Sequence, residues 1–415
     1  MLNKYKRLLE NIISLFTIKG LQYILSFITF PYLVRVLRVE NFGAVVFAQS
    51  IIQYFVIFTD YGFNYLGPRE IAKEDNKEKR GNIFANIFWA KLILLVMATV
   101  VFMIGILILK IKYPIDVNLY LVTYLMVIGN VIFPIWFFQG IQKMYYITIV
   151  NIIARFFSVI FIFYFVNNSN DYLWAAFFQS IVPIVAGVCS WLVLFKNYKE
   201  VIVLPSFNEI KKVYKDSWDI FISTIASNLY TASNIVFLGF FTNNTIVGYF
   251  SSAQKIIYSI TSVLGPIVQA IYPYISKMVK ESREDAVRFL NKIVISLFSG
   301  TLCISSIIFI FAEYIVNIIL GIGYDKSVVL LRIMAFLPCI ISLSNVFGIL
   351  TLLTFDMQKI FRKILLSASV INTIIVIPMI YFYEDLGVSI SIVITEIFVS
   401  MYMYISLKRN NIKLF

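Results

Sequence analysis

Apolar residues in this chain run in long stretches parted by short polar breaks. Twelve stretches are long enough for a membrane-spanning helix, at about 12–37, 42–67, 83–109, 118–139, 148–166, 172–195, 217–241, 245–273, 291–320, 328–353, 364–382 and 387–407. A transmembrane β-barrel would instead alternate apolar and polar residues in segments of roughly ten. Ile93 to Leu109 is apolar but for Thr99 and Gly105. The pattern therefore predicts an all-α integral membrane protein. Composition agrees, because charged residues make up 14% of the chain, against about a quarter in soluble proteins.

The pattern is also doubled. Gly43-Ala-Val-Val-Phe-Ala48-Gln49-Ser-Ile51-Ile52 returns 205 residues later as Gly248-Tyr-Phe-Ser-Ser-Ala253-Gln254-Lys-Ile256-Ile257, and each copy opens the second apolar stretch of its half. The chain thus divides into a six-helix lobe over 1–200, a cytoplasmic linker over 201–216 and a second six-helix lobe over 217–415. An even number of spans per half brings both copies into the membrane from the same side, which implies a parallel repeat around a central cavity, as in many secondary transporters.

Lysine and arginine set the expected orientation. Of 35 basic residues, 24 fall on the side that holds both termini and the loops Arg69 to Arg80, Lys196 to Lys215, Lys277 to Arg288 and Lys359 to Lys363. Five (Arg35, Arg38, Lys110, Lys112, Lys326) fall on the other. Both termini are expected in the cytoplasm. The net charge of +13 then holds loops against anionic lipid headgroups, with no need of a nucleic-acid partner. Met1 to Glu10 is basic, but the apolar run after it is too long for a cleaved signal and reads as the first span.

Several chemistries are excluded. Histidine is absent, which removes His-based proton relays, zinc sites and Ser-His or Cys-His catalysis. Cys189, Cys303 and Cys339 are scattered within predicted helices and read as packing residues. Outward loops such as Asn167 to Asp171 and Gly321 to Ser327 leave no room for a catalytic domain, and no nucleotide-binding loop is present. An enzyme is not expected, nor is a bound cofactor or metal.

Polar positions inside the spans form stripes. Lys19, Gln22, Ser26 and Thr29 share one helix face; Gln49 and Gln53 lie a turn apart; Thr224, Asn228, Thr231 and Asn234, and then Ser252, Lys255, Ser259 and Ser262, repeat the arrangement in the second half. Such stripes line a hydrophilic cavity or bond to their own helices and neighbours. Lys19, Lys91 and Arg155 lie about two turns into their spans and Lys255 near mid-depth. An excess of buried base suits an anion such as diphosphate, although the three shallower residues could also snorkel to the headgroups. Asp60 and Glu396 are candidates for coupling H⁺ or Na⁺, or for salt bridges with a buried base. Pro31, Pro134, Pro183, Pro266, Pro273, Pro338 and Pro378 are expected to interrupt helices.

The run Gly20-Leu-Gln22-Tyr-Ile-Leu-Ser-Phe-Ile-Thr-Phe-Pro31-Tyr-Leu-Val-Arg35, then Asn41-Phe-Gly43, Asp60-Tyr-Gly62-Phe63 and Arg69-Glu-Ile-Ala72, closely resembles the N-terminal third of the Wzx-type flippases. These belong to the polysaccharide-transport branch of the multidrug/oligosaccharidyl-lipid/polysaccharide exporter superfamily. Arg38 departs from the pattern, standing where the usual Val-Leu-Gly turn has glycine. The resemblance implies a MATE-like, two-lobed translocator in the bacterial inner membrane. It would move an undecaprenyl-diphosphate-linked oligosaccharide for O-antigen or a related polysaccharide, and its neighbours would be membrane lipids and the pathway's polymerase and chain-length regulator. Under it, Lys19, Lys91, Arg155 and Lys255 hold the diphosphate, and Gln22, Gln49, Gln53, Asn228 and Asn234 meet the sugars. A multidrug cation antiporter of the same superfamily would favour an acidic cavity, and a membrane-embedded polymerase or glycosyltransferase would carry a larger periplasmic loop.

Overall fold

A computed structural model describes residues 2–112, 115–198, 203–231, 233–412 and 414, with side chains from Leu25 onward except at 26, 112, 226, 227 and 229–231. Among these residues the regular structure is entirely helical. The helices are α1 (Leu2–Asp60), α2 (Phe63–Lys73), α3 (Lys77–Lys112), α4 (Val117–Ile132), α5 (Ile135–Gly140), α6 (Met144–Phe165), α7 (Tyr172–Ser180), α8 (Val182–Asn197) and α9 (Phe207–Thr231). They continue as α10 (Ser233–Phe241), α11 (Asn244–Thr261), α12 (Leu264–Glu281), α13 (Arg283–Ile310), α14 (Ala312–Ile319), α15 (Asp325–Met334), α16 (Leu337–Ser344), a π-helical stretch Asn345–Leu352 and α17 (Gln358–Arg409).

Nine helical stretches among the described residues are long and apolar enough to cross a membrane. The difference from the expected twelve has a local cause. α1 breaks at Arg38 (φ 61°, ψ 172°) and α17 at Glu384 (φ 48°, ψ −123°), so each holds two expected spans in one run. The expected seventh span, 217–241, is described as parts of α9 and α10, with 232 outside the described residues.

Proline behaves in two ways. Pro134, Pro183, Pro266 and Pro338 stand at or next to the start of α5, α8, α12 and α16, where the missing amide costs no intrahelical bond. Pro31, Pro273 and Pro378 instead lie inside α1, α12 and α17, which run on through them, so the expectation of a break fails at these three. In lipid-embedded helices, neighbouring groups can satisfy the freed carbonyl.

Packing groups the chain into two compact units, Val45–Ile225 and Met1–Ala44 with Ala226–Phe415. In the first unit α4 lies against α7 and α8, α6 against α8, and α2 against α5. Its core is aromatic, with Phe63, Phe84, Trp136, Phe137 and Phe138 almost fully buried. Between apolar helices in lipid, close fit replaces the hydrophobic drive. A Cβ on Gly129 would sit 2.6 Å from the Ile184 amide, so only glycine lets α4 approach α8 this closely. The start of α9 also belongs here. Ser206 N donates to Asn86 Oδ1 at 2.8 Å, Tyr214 Oη donates to the Ala90 carbonyl at 2.7 Å, and Phe221 stacks on Tyr61 at 4.3 Å. Of the expected linker, 201 and 202 lie outside the described residues, and α9 has begun by Phe207.

In the second unit α11 packs on α15, α13 on α16, and α10 on α17. The core runs through Ile275, Leu290, Val346, Leu350, Ile364 and Leu407. Hydroxyl pairs join the helices: Thr301 with Ser342 at 3.1 Å and Ser344 with Ser400 at 2.7 Å. Asn372 Nδ2 donates to Thr395 Oγ1 at 3.2 Å, tying the two halves of α17 across its break.

The repeated decapeptide has a structural counterpart in this unit. A Cβ on Gly43 would collide with the Asn244 carbonyl oxygen and lie 2.7 Å from the Gly248 amide nitrogen. A Cβ on Gly248 would collide with the Val39 carbonyl oxygen and lie 2.9 Å from its carbon. Val39 and Asn244 are separated by 205 residues, as are Gly43 and Gly248. The contact is therefore reciprocal, with each copy of the repeat offering its glycine to the turn preceding the other.

Candidate functional site

The buried charge of the first unit is an ion pair. Asp60 ends α1, where the chain turns through Tyr61 and Gly62 in left-handed conformations, φ 48° and 80°. Lys91 is four turns into α3, which rises beside it. Lys91 Nζ reaches Asp60 Oδ1 at 3.1 Å, with side chains 3% and 18% exposed. The two candidates are thus brought together, and within this unit Lys91 is charge-compensated by Asp60. Between α1 and α3 there is also an apolar groove of roughly 210 Å³, lined by Tyr54, Phe55, Phe58, Ala98 and Val101. It offers almost no hydrogen-bonding surface and cannot be a sugar or phosphate site.

Arg155 is half-buried on α6. The polar residues on its face are committed elsewhere: Asn151 Nδ2 donates to the Ile147 carbonyl at 2.8 Å and Ser158 Oγ to the Phe178 carbonyl at 2.7 Å. Gln49 and Gln53 are half-buried on the second half of α1.

The other candidates belong to the second unit. Lys255 is exposed on α11, and its Nζ stands 5.1 Å from the centre of the Phe30 ring, a cation–π contact. Asn228 is half-buried on α9. Asn234, 2% exposed on α10, leaves its Oδ1 without a hydrogen-bond partner among the described residues. Glu396 is half-buried on α17. Lys19 and Gln22 lie on α1, but their side chains fall outside the described residues.

Four hydroxyls of the polar stripes follow the self-bonding alternative. Thr29 donates to Leu25 O, Thr224 to Ile220 O, Ser259 to Lys255 O and Ser262 to Ser259 O, each within its own helix. The three cysteines are free thiols, with Cys339 buried and Cys303 exposed. No group of three or more acidic or cysteine ligands that could hold a metal occurs among the described residues.

Sequence reasoning missed a set of contacts around the glycine crossing. Arg35 donates to the Ile318 carbonyl, and Tyr324 Oη donates to the Val34 carbonyl at 3.0 Å while almost wholly buried. Ser327 Oγ donates to the Tyr249 carbonyl at 2.9 Å. The one available signal was Gly43 and Gly248 recurring at equal offset, which marks close approach but not its partners.

A family model for "Polysaccharide biosynthesis protein" matches residues 8–279. Over 406 residues the chain is 35% identical to the "Putative O-antigen transporter" of Escherichia coli (strain K12), covering 97% of each protein. Its fold is similar to that of an inward-facing multidrug resistance MATE family transporter of the MOP superfamily, with a TM-score of 0.73, 14% identity, and 94% of this chain and 98% of that one covered. It is also similar to the lipid II flippase MurJ in an inward closed conformation, with a TM-score of 0.71, 13% identity, and 95% and 87% covered. At such identities the two structures speak for the fold, which is the all-α, MATE-like one. The family match and the near full-length relative go further: this multi-pass membrane protein belongs to the polysaccharide biosynthesis protein family.

Proposed function

We propose that the chain is a non-hydrolytic flippase of the bacterial inner membrane. It would move an undecaprenyl-diphosphate-linked oligosaccharide repeat unit from the cytoplasmic to the periplasmic leaflet by alternating access. The observation that carries this reading is the 35% identity along 97% of the chain with a protein described as an O-antigen transporter. Chemistry supports it: bases set within apolar helices at Lys91, Arg155 and Lys255 suit an anionic headgroup. Lys91 enters as a compensated base, so a diphosphate would compete with Asp60 for it. Lys19, Arg155 and Lys255 are the other proposed diphosphate contacts, and Gln22, Gln49, Gln53, Asn228 and Asn234 the proposed sugar contacts. Asp60, once released, or Glu396 could take a coupling H⁺ or Na⁺. Both termini face the cytoplasm in this reading. Product would pass to the polymerase and chain-length regulator of the same pathway.

Native mass spectrometry of the purified protein tests the cargo class. A polyprenyl-diphosphate oligosaccharide should be retained, and the corresponding monophosphate should be retained about tenfold less, the loss of roughly one charge-assisted contact. Equal retention of both, with tighter binding of a cationic dye, would contradict the proposal.

A further inference from the structure

Where α5 gives way to α6, in the first unit, polar hydrogens outnumber the groups that can receive them. Gln142 turns the chain in a left-handed conformation, φ 58°, and Lys143 follows as the exposed N-cap of α6. Its Nζ stands 5.4 Å from the centre of the Tyr198 ring, just past the end of α8. The electrostatic neighbours of Lys143 are Tyr198, Tyr145 and Tyr146, and no carboxylate among the described residues pairs with it. Tyr198 is 9% exposed and lies edge-on to Phe137 at 5.6 Å, and its Oη has no hydrogen-bond partner among the described residues. The ammonium beside it can only donate, so it cannot accept the phenol proton. Asn197 Nδ2 donates to Tyr146 Oη at 3.4 Å, and the Tyr145 and Tyr146 rings lie 4.2 Å apart. No side chain caps α6, so its first-turn amides add open donors and partial positive charge.

The cluster is a cation among donors, without an anion. A buried phenol lacking an acceptor costs free energy that a ligand oxygen would recover. A phosphate supplies negative charge and several acceptor oxygens at once. Depth says which phosphate. α6 starts four residues before the apolar stretch that opens at 148, about 6 Å along the helix axis, which is headgroup level. From the cluster an exposed apolar stripe, Tyr145, Ile149, Ile153 and Phe156, runs down α6 at spacings of 4, 4 and 3 residues. We propose that Lys143, Tyr198 and the N-terminus of α6 hold the phosphate of a phospholipid, in the cytoplasmic leaflet under the proposed orientation, with its acyl chains along the Tyr145 to Phe156 stripe. The site is separate from the proposed diphosphate contacts, since Arg155 stands about 18 Å further along α6. It does not rest on the cargo.

The test is native mass spectrometry of the full-length protein titrated with phosphatidylglycerol. Lys143→Gln should raise the apparent Kd of the first lipid bound about tenfold, the loss of one charge-assisted contact. Tyr198→Phe keeps the ring and loses the hydroxyl, and should raise it about threefold. Lys211→Gln, at an exposed lysine of α9, removes the same charge elsewhere and should change it less than about twofold. Equal weakening by Lys143→Gln and Lys211→Gln would reduce the effect to general surface charge and overturn the site, as would a Tyr198→Phe protein that binds like the wild type. Displacement of phosphatidylglycerol by excess inorganic phosphate would overturn the lipid in favour of a free ion. If Lys143→Gln and Tyr198→Phe weaken a polyprenyl-diphosphate oligosaccharide and leave phosphatidylglycerol unchanged, the cluster is a cargo contact and the phospholipid is overturned. A wild type that binds phosphatidylglycerol as expected and retains no polyprenyl diphosphate loses the cargo reading and keeps this site.

Discussion

Lys91 and Asp60 show how burial changes what a charge does. An ammonium 3% exposed costs several kcal/mol to desolvate unless a carboxylate stands against it. Asp60 is the more exposed partner at 18%, so the two single losses should differ. Asp60→Leu strands a buried cation and should destabilise by about 3–5 kcal/mol, whereas Lys91→Met leaves a carboxylate that water still reaches and should cost less. The double variant Asp60→Leu, Lys91→Met should recover most of the loss in a detergent melting curve. A double variant as unstable as Asp60→Leu would mean that the pair is not the source. Arg38 offers the opposite sign. At φ 61° and ψ 172° it occupies a region that glycine adopts without strain. Arg38→Gly should therefore stabilise by about 1 kcal/mol and raise the melting temperature. The glycine of the related Val-Leu-Gly turn is thus explained by geometry, and the arginine here keeps that geometry at a cost.

At the scale of elements, the start of α9 is bound to the first unit by two hydrogen bonds and an aromatic stack. Phe221 lies face to face with Tyr61 and edge-on to Phe58 at 6.4 Å, and Tyr214 meets Tyr61 edge-on at 5.4 Å. Phe221→Ala should cost about 3 kcal/mol, and Tyr214→Phe, which removes only the bond to Ala90 O, about 1 kcal/mol. Proteolysis between α8 and α9 should accelerate in the first and change little in the second. Much at this scale was legible in the sequence, because a span is a matter of length and hydropathy; the expected 118–139 is observed as α4 and α5, Val117 to Gly140. What was not legible depends on partners. Pro31 and Pro134 look alike as residues, yet one is carried inside α1 and the other begins α5, because surrounding packing decides whether the freed carbonyl is tolerated. Asp60 was legible as a salt-bridge partner for a buried base and Lys91 as a buried base, but at a separation of 31 residues nothing in the sequence said that this base was the one.

For the molecule as a whole, the repeat is the thread from sequence to proposed function. An offset of 205 residues appears as a match of letters and again as a reciprocal contact in which 39 meets 248 and 43 meets 244. Two related segments that touch at one end and lead into polar stripes are the parts an alternating-access carrier needs. Reconstituted flipping reads the cargo itself. Protein in proteoliposomes is given a polyprenyl-diphosphate-linked oligosaccharide, and a sugar-modifying enzyme outside reports which leaflet holds it. The wild type should exchange it between leaflets, and Lys255→Ala should lower the rate at least about tenfold, the loss of one charge-assisted contact to the diphosphate. Absence of exchange under inward, outward and imposed ion-gradient conditions, with export of a cationic dye by the same preparation, would contradict it.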